Sequence, residues 1–285
     1  MASILRLPAR GRLLVATDLQ GHLRDFERMA DLFCAAMIES DGEAHLLFTG
    51  DLIHGPSYEP GDWPDVLGDY YRDDSPAVID AFLALGRRFP GRVHALLGNH
   101  EHAHVGGPHT AKFAADEVTA LEDQLGEAAA LRLREILADL PLVAIAPCGL
   151  VFTHAAPAAS PASIDDILAA PLRGHERAAL AQVFDIPVVG PLLWARWASP
   201  DMARRFLGVM GGRVAVYGHD VIRQGFERVG DEQFVFSTSF GLADARKVYL
   251  DLDLARSYGN AYDIRETVEI LPLYPDLYPA AASAI

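Results

Sequence analysis

Ten polar residues stand where short apolar runs of the chain end: Asp18, Gln20 and His22; Asp51 and His54; Asn99, His100 and Glu101; His154; and His219. Carboxylate, amide and imidazole together suit Mn, Fe or Zn better than an all-oxygen Ca or Mg cage. A bridging carboxylate could hold two such ions about 3.5–4 Å apart, where they clamp a phosphate, lower the pKa of a bridging water and stabilise both oxygens of an in-line displacement. Singly, each residue has an ordinary structural use, because an Asp after a strand is commonly a helix cap and a lone His before a turn commonly satisfies its surroundings. The conjunction of Gly-Asn-His-Glu, Gly-Asp and two later histidines, each closing an apolar run, is what points to a metal centre.

The elements that must position these residues follow from periodicity. Residues 12–17 (RLLVAT), 45–51 (HLLFTGD) and 93–101 (VHALLGNHE) read as buried strands, and 23–39 and 76–88 read as the helices between them. Such βαβ alternation implies a largely parallel sheet with its functional groups at the carboxyl edge. Residues 111–139 are rich in Ala, Leu and Glu, with acids early and Arg132 and Arg134 late, and read as one helix ended by Pro141. After it, 142–147, 149–157, 213–220, 234–241 and 248–254 read as strands, with a mixed helical stretch reaching Pro191. The expected architecture is α/β, a single domain over 1–285 of two packed sheets, with its core at about 12–256 and a tail at 257–285 whose Ala280–Ala284 stretch frays.

Composition narrows the function classes. With 285 residues, 51% hydrophobic and 22% charged, the chain is unlike disordered, collagenous or coiled-coil sequences. A chain this long buries about 75% of its unfolded surface, so a metal is not needed merely to fold it. Thirty-nine acids against 24 bases leave a net charge of −15, which argues against sequence-independent nucleic-acid binding. Cys34 and Cys148 lack CxxC spacing and read as free thiols of a reducing compartment. The N-terminal stretch is interrupted by Arg6, Pro8, Arg10 and Arg12, so no membrane span is expected and the expected location is cytoplasmic.

These motifs carry a resemblance. DLQGHL at 18–23 looks like the D-x-H-G-x-L block of the calcineurin-like metallophosphoesterases, Gly50-Asp51 like their GD segment, and GNHE at 98–101 is identical to their third block. LPLVAIAPCGLVFTHAAPAAS at 140–160, LLWARWASPD at 192–201 and YGHDVIRQGFE at 217–227 resemble further segments of the PPP-type serine/threonine protein phosphatases, so the likeness runs from 12 to about 256. The resemblance implies a four-layer αββα sandwich of two mixed β-sheets flanked by helices. It implies a dimetal phosphoesterase that hydrolyses phosphomonoesters by attack of a metal-bound hydroxide, acting on phosphorylated Ser, Thr or Tyr in a protein or on a small phosphoester. Asp18 and Gln20 then fall on metal one, Asp51 between the metals, and Asn99, His154 and His219 on metal two. Two divalent ions are implied, Mn foremost, with Fe or Zn as alternatives. His100 would protonate the leaving alkoxide with Glu101 behind it, while Asn99, His54 and Arg196 are expected against substrate and Arg204 and Arg205 fall nearby.

Three positions depart from the family pattern. Gln20 stands where the family has a His ligand, His54 where it has the Asp that orients the catalytic His, and HGP at 54–56 replaces the segment bearing a phosphate-clamping Arg. Two other functions therefore stay open: a nucleotide or diadenosine tetraphosphate hydrolase of the same fold, and a degenerate, non-catalytic protein-binding member. His102, His104 and His109 are expected in a solvated loop, residues 58–74 in a lid with Tyr70 and Tyr71 as contacts, and Trp194 and Trp197 in core or cleft wall.

Overall fold

The computed structural model describes residues 2–114 and 116–278, and the Ala280–Ala284 stretch lies outside them. In chain order the strands are β1 (Ile4–Arg6), β2 (Arg12–Ala16), β3 (Ala44–Phe48), β4 (Val93–Ala95), β5 (Val143–Ala146), β6 (Leu150–Phe152), β7 (Val214–Tyr217), β8 (Phe226–Val229), β9 (Gln233–Phe236), β10 (Val248–Asp253) and β11 (Ile270–Pro272). The helices are α1 (Leu23–Glu39), α2 (Ser75–Arg88), α3 (Asn99–Val105), α4 (Glu117–Leu125), α5 (Glu127–Ala138), α6 (Ile164–Leu168), α7 (Val189–Trp194) and α8 (Pro200–Met210). None of the described helices is long and apolar enough to cross a membrane.

Two mixed sheets result, ordered β11-β10-β2-β3-β4 and β1-β5-β6-β7-β9-β8. In the first, β2, β3 and β4 run parallel, with Leu14 opposite Leu46 and Phe48 opposite Ala95, while β10 runs antiparallel to β2. In the second, β6, β7 and β9 run parallel, with Phe152 opposite Val216 and Val216 opposite Phe234. Side chains alternate across a strand, so Leu13 and Val15 of β2 join one core with Phe152, Val216 and Phe234 of the other sheet, and Leu14 and Ala16 join a second with Phe26, Met29 and Phe33 of α1. Both faces are therefore buried, which is why these strands read as continuous apolar runs rather than alternating ones. The predicted strand-helix order of the first half is realised, with α1 and α2 flanking the sheet.

Three expectations are corrected. Residues 111–139 are not one helix: Gly126 at φ +77° separates α4 from α5, and 111–114 lie in a loop whose Ala111 and Lys112 line the cleft. Of the histidines expected in a solvated loop after GNHE, His102 and His104 are instead buried in α3, whereas His109 does lie in an exposed loop. The edges of the fold extend beyond 12–256, because β1 pairs with β5 and β11 pairs with β10. The helix α8 also escaped the periodicity reading, although Ser199 caps it, Pro200 opens it and Gly211 closes it in the left-handed region.

One charged cluster locks the C-terminal segment to α1. The buried Lys247 ammonium lies 2.7 Å from Asp25, 2.8 Å from Asp244 and 3.2 Å from His22 Nε2. Asp25 also accepts hydrogen bonds from Ser239 Oγ (2.5 Å) and Tyr274 Oη (2.6 Å). Burial pushes His22 down to about 4, so its imidazole is neutral beside the ammonium, and its Nδ1 accepts from the Asp25 backbone N–H at 3.3 Å. Removing one partner of a buried pair strands the others in low dielectric. Lys247→Met is expected to lower stability by about 3–5 kcal/mol, read as a shift in the urea midpoint.

Candidate metal centre and active site

The loops that leave β2, β3, β4, β6 and β7 meet at one edge of the two sheets and are laced together through their backbones. Asp18 N–H donates to Gly50 O (3.2 Å), Gln20 N–H to Asp51 O (2.9 Å), Gly218 N–H to His154 O (3.0 Å) and Phe240 N–H to Asp18 O (3.0 Å). Asp18, Gln20, Asp51, His54 and His219 all take positive φ, between +43° and +68°. For residues other than glycine this region is strained by about 1–3 kcal/mol each. Five such residues gathered in these loops mark where the fold gives up local stability to aim side chains.

The aimed side chains form a donor set. His154 Nε2 lies 2.9 Å from Asn99 Oδ1, 3.1 Å from His219 Nδ1 and 3.5 Å from Asp51 Oδ1. Its other nitrogen donates to the Thr49 carbonyl at 3.0 Å, which turns Nε2 toward those three groups as the free ligand atom. Asp51, His154 and His219 each offer a ligand atom within 4.8 Å of the others. Gln20 Oε1 is buried without a hydrogen-bond partner, and Gln20 lines the same cleft as Asp51, Asn99 and His219. Asp18 completes the group, its carboxylate accepting from Thr17 Oγ1 and from His219 N–H at 2.9 Å. Burial pushes the Asp18 carboxyl above its ordinary value and His219 well below.

Lone pairs facing one another in a buried site, with an orphaned amide oxygen among them, are the arrangement a cation satisfies, so these residues fit a divalent metal centre. The cluster of His22, Asp25 and Asp244 makes the contrast, because there the Lys247 ammonium already supplies the positive charge.

Beside this set, His100 is buried with Nε2 3.9 Å from Asp51 Oδ2 and Nδ1 3.1 Å from Glu117 Oε2. Burial opposes protonation of His100, but Asp51 and Glu117 outweigh it and raise its pKa. Burial likewise opposes ionisation of Glu117, yet its bond to His100 brings that carboxyl down to about 2. The two form an ion pair beside the donors.

Residues 11–223 match the family described as calcineurin-like phosphoesterase. The chain belongs to that family. Among solved structures it is similar to a protein serine/threonine phosphatase from Saccharomyces cerevisiae, with 16% identity, 88% of this chain and 76% of the other covered, and a TM-score of 0.56. It is similar also to a cold-active protein-tyrosine phosphatase of a Shewanella species, with 15% identity, 90% and 78% covered, and a TM-score of 0.56. At such identities the likeness is one of fold. No curated protein sequence matches the chain.

Within this phosphoesterase, the other expected site residues divide. Arg196 lines the cleft, its guanidinium 2.5 Å from Asp220. Arg204 is paired instead with Asp201 and Glu232, and Arg205 lines a separate groove with Ser160 and Ile164. His54, expected against substrate, lies behind His100 at 5.6 Å between ring centroids, stacked on His104 with the two Nε2 atoms 2.8 Å apart. Its backbone explains this, because φ is +67° and its N–H is tied to Ser75 Oγ, turning the ring away from the cleft. His102 and His104 serve the interior, bonded to the Leu172 carbonyl and to Glu122. Tyr71 is buried rather than on a lid face, stacking on His22 and donating to the Gln20 carbonyl at 3.0 Å. Trp194 lines the cleft and Trp197 is 65% exposed, so neither is core.

Sequence reasoning missed Glu117 and Lys112, which the reading of 111–139 as one helix did not single out. The available signal was Gly126, an interruption in the apolar pattern. If Gln20 Oε1 coordinates, Gln20→His is expected to lower the Mn²⁺ concentration needed for half-saturation, since imidazole suits such ions better than an amide. Metal bound per chain, titrated from the apo protein, is the measurement, and coincident curves for the two proteins would remove Gln20 from the ligand set.

Proposed function

We propose that this protein hydrolyses phosphomonoesters, with phosphorylated protein side chains as the substrate class. The observation that carries the reading is the His100–Glu117 ion pair set against the donor group of Asp18, Gln20, Asp51, Asn99, His154 and His219. Two divalent ions held there would supply the Lewis acidity that activates water and neutralises charge on the phosphoryl group. Asp51 would be the carboxylate shared by the two ions, with Asp18 and Gln20 holding one and Asn99, His154 and His219 the other.

His100 holds a proton on Nε2 at the cleft wall, where it can be given to a departing alkoxide. Glu117 accepts from Nδ1 and so fixes both the ring plane and the protonated form, the function the family pattern would have assigned at position 54. Glu117 is itself fixed, accepting from Thr110 Oγ1 and from the N–H groups of Lys112 (3.1 Å) and Phe113 (2.8 Å).

The size of the cleft supports a monoester at the end of a larger molecule. Its volume of about 210 Å³ is below the roughly 300–1,000 Å³ of pockets that enclose drug-sized ligands. That space would suit a phosphoryl group and the near end of its leaving group, with Leu180 and Trp194 as apolar walls beside them.

Turnover of a phosphopeptide by the Mn²⁺-loaded protein, absent on chelation and exceeding turnover of diadenosine tetraphosphate, is the expected result. Preference for the dinucleotide would transfer the reading to nucleotide hydrolysis, and no turnover of any ester would leave a binding protein. His100→Asn should lower kcat by roughly 10²–10⁴ with metal content unchanged, and Glu117→Gln by less. Both losses should shrink for p-nitrophenyl phosphate, whose leaving group needs little protonation. Equal losses for good and poor leaving groups would show that His100 is not the proton donor.

A further inference from the structure

The replacement of the arginine-bearing segment by His54, Gly55 and Pro56 raises the question of which cation in the cleft meets the substrate's phosphoryl oxygens. Besides His100, which is paired with Glu117, and His219, two basic side chains line it, Lys112 and Arg196. Arg196 is held at the rim against Asp220, so its charge is partly matched already. Lys112 is different. Its ammonium lies 4.0 Å from the ring centroid of Phe240 and 4.8 Å from that of Phe113, and among the described residues no carboxylate is bonded to it. A cation–π contact attracts an ammonium without accepting its three N–H donors as oxygen does.

Both ends of Lys112 are anchored to the site. Its backbone N–H, with that of Phe113, donates to Glu117 Oε1, the carboxylate whose other oxygen meets His100. The Phe240 ring beneath its head is buried and hangs from the loop whose N–H donates to Asp18 O. Phe113 packs edge-on against Phe240 at 5.6 Å, closing the aromatic seat. The acids that act on Lys112 at longer range are Asp51, Asp18 and Glu117, two of them in the donor set and the third paired with His100. Lys112 is exposed toward the cleft, so a substrate can reach it.

We propose that Lys112 binds the non-bridging oxygens of the substrate phosphoryl group and thereby selects dianionic monoesters over monoanionic diesters. An ammonium acts here as a compact point charge, and its interaction grows with the charge it faces. The proposal rests on the phosphoesterase reading above and adds the residue that reads substrate charge.

The test uses Mn²⁺-loaded wild type, Lys112→Met and Lys112→Arg. It measures kcat/KM for p-nitrophenyl phosphate and for bis(p-nitrophenyl) phosphate, inhibition by inorganic phosphate, and metal bound per chain. A hydrogen bond to a charged group is worth about 1.5–3 kcal/mol, or roughly 10–100-fold. Lys112→Met is therefore expected to weaken phosphate inhibition and monoester kcat/KM by roughly 10–100-fold, leave the diester within a few-fold and keep its metal. Lys112→Arg should retain most of the preference for the monoester. A Lys112→Met protein with the wild-type phosphate affinity and monoester-to-diester ratio overturns the proposal, and so does an equal loss on both esters. If wild type itself neither turns over an ester nor binds phosphate, the phosphoesterase reading falls and the proposal falls with it.

Discussion

Glu101 is wholly buried, and its carboxylate accepts hydrogen bonds from four backbone N–H groups: those of Gly98, Asp51, Leu52 and Ile53. These belong to the two turns that carry Asp51, Asn99 and His100, so one side chain sets the spacing between the ends of β3 and β4. Burial and the nearby Asp51 push the Glu101 carboxyl up to about 7, and the four backbone donors oppose that shift and stand in for the water the group has lost. The packing around it leaves no slack. A Cβ on Gly98 would sit 2.2 Å from Asp51 Oδ1, and one on Gly50, at φ +106°, would sit 2.7 Å from His154 Nδ1. The glycines of the two motifs therefore stand where backbone must closely approach the side chains of Asp51 and His154, and Glu101 holds them there.

With that spacing fixed, the other contributions are mostly unfavourable for the folded chain alone. Asp18 and Asp51 are buried close enough to raise the Asp18 pKa, His219 is desolvated, and five residues of the site loops sit in left-handed backbone. Stability is supplied elsewhere, by two apolar cores on the faces of the sheets and by the Lys247 cluster that ties α1 to the C-terminal segment. The division is the expected one for a site whose groups are arranged for a ligand rather than for one another.

The start of α4 brings a carboxylate to His100 from elsewhere in the chain. In the proposed chemistry a carboxylate orients His100, and Glu117, the first residue of α4 and 17 residues after that histidine, would supply it. The same carboxylate fixes the backbone of Lys112. Roles of this kind are recognised by geometry and not by sequence position.

What the amino-acid sequence determined by itself was local and periodic. The apolar runs ending in Asp18, Asp51 and Asn99, the helices α1 and α2 between them, and the strands ending near His154 and His219 were legible because a buried parallel strand and an amphipathic helix each impose a pattern on their own residues. The short edge strands β1, β8 and β11 were not, since three or four residues carry too little pattern and are held by pairing with a neighbour. Only the tertiary structure decided what lies across the cleft. That His54 turns toward His104, that Glu117 meets His100 and that the Lys112 ammonium rests on Phe240, 128 positions along the chain, depends on loops whose course is set by distant contacts. Helical propensity over 111–139 pointed to one continuous helix, and the bonds from Glu117 to the backbone at 112 and 113, with the break at Gly126, overrode it.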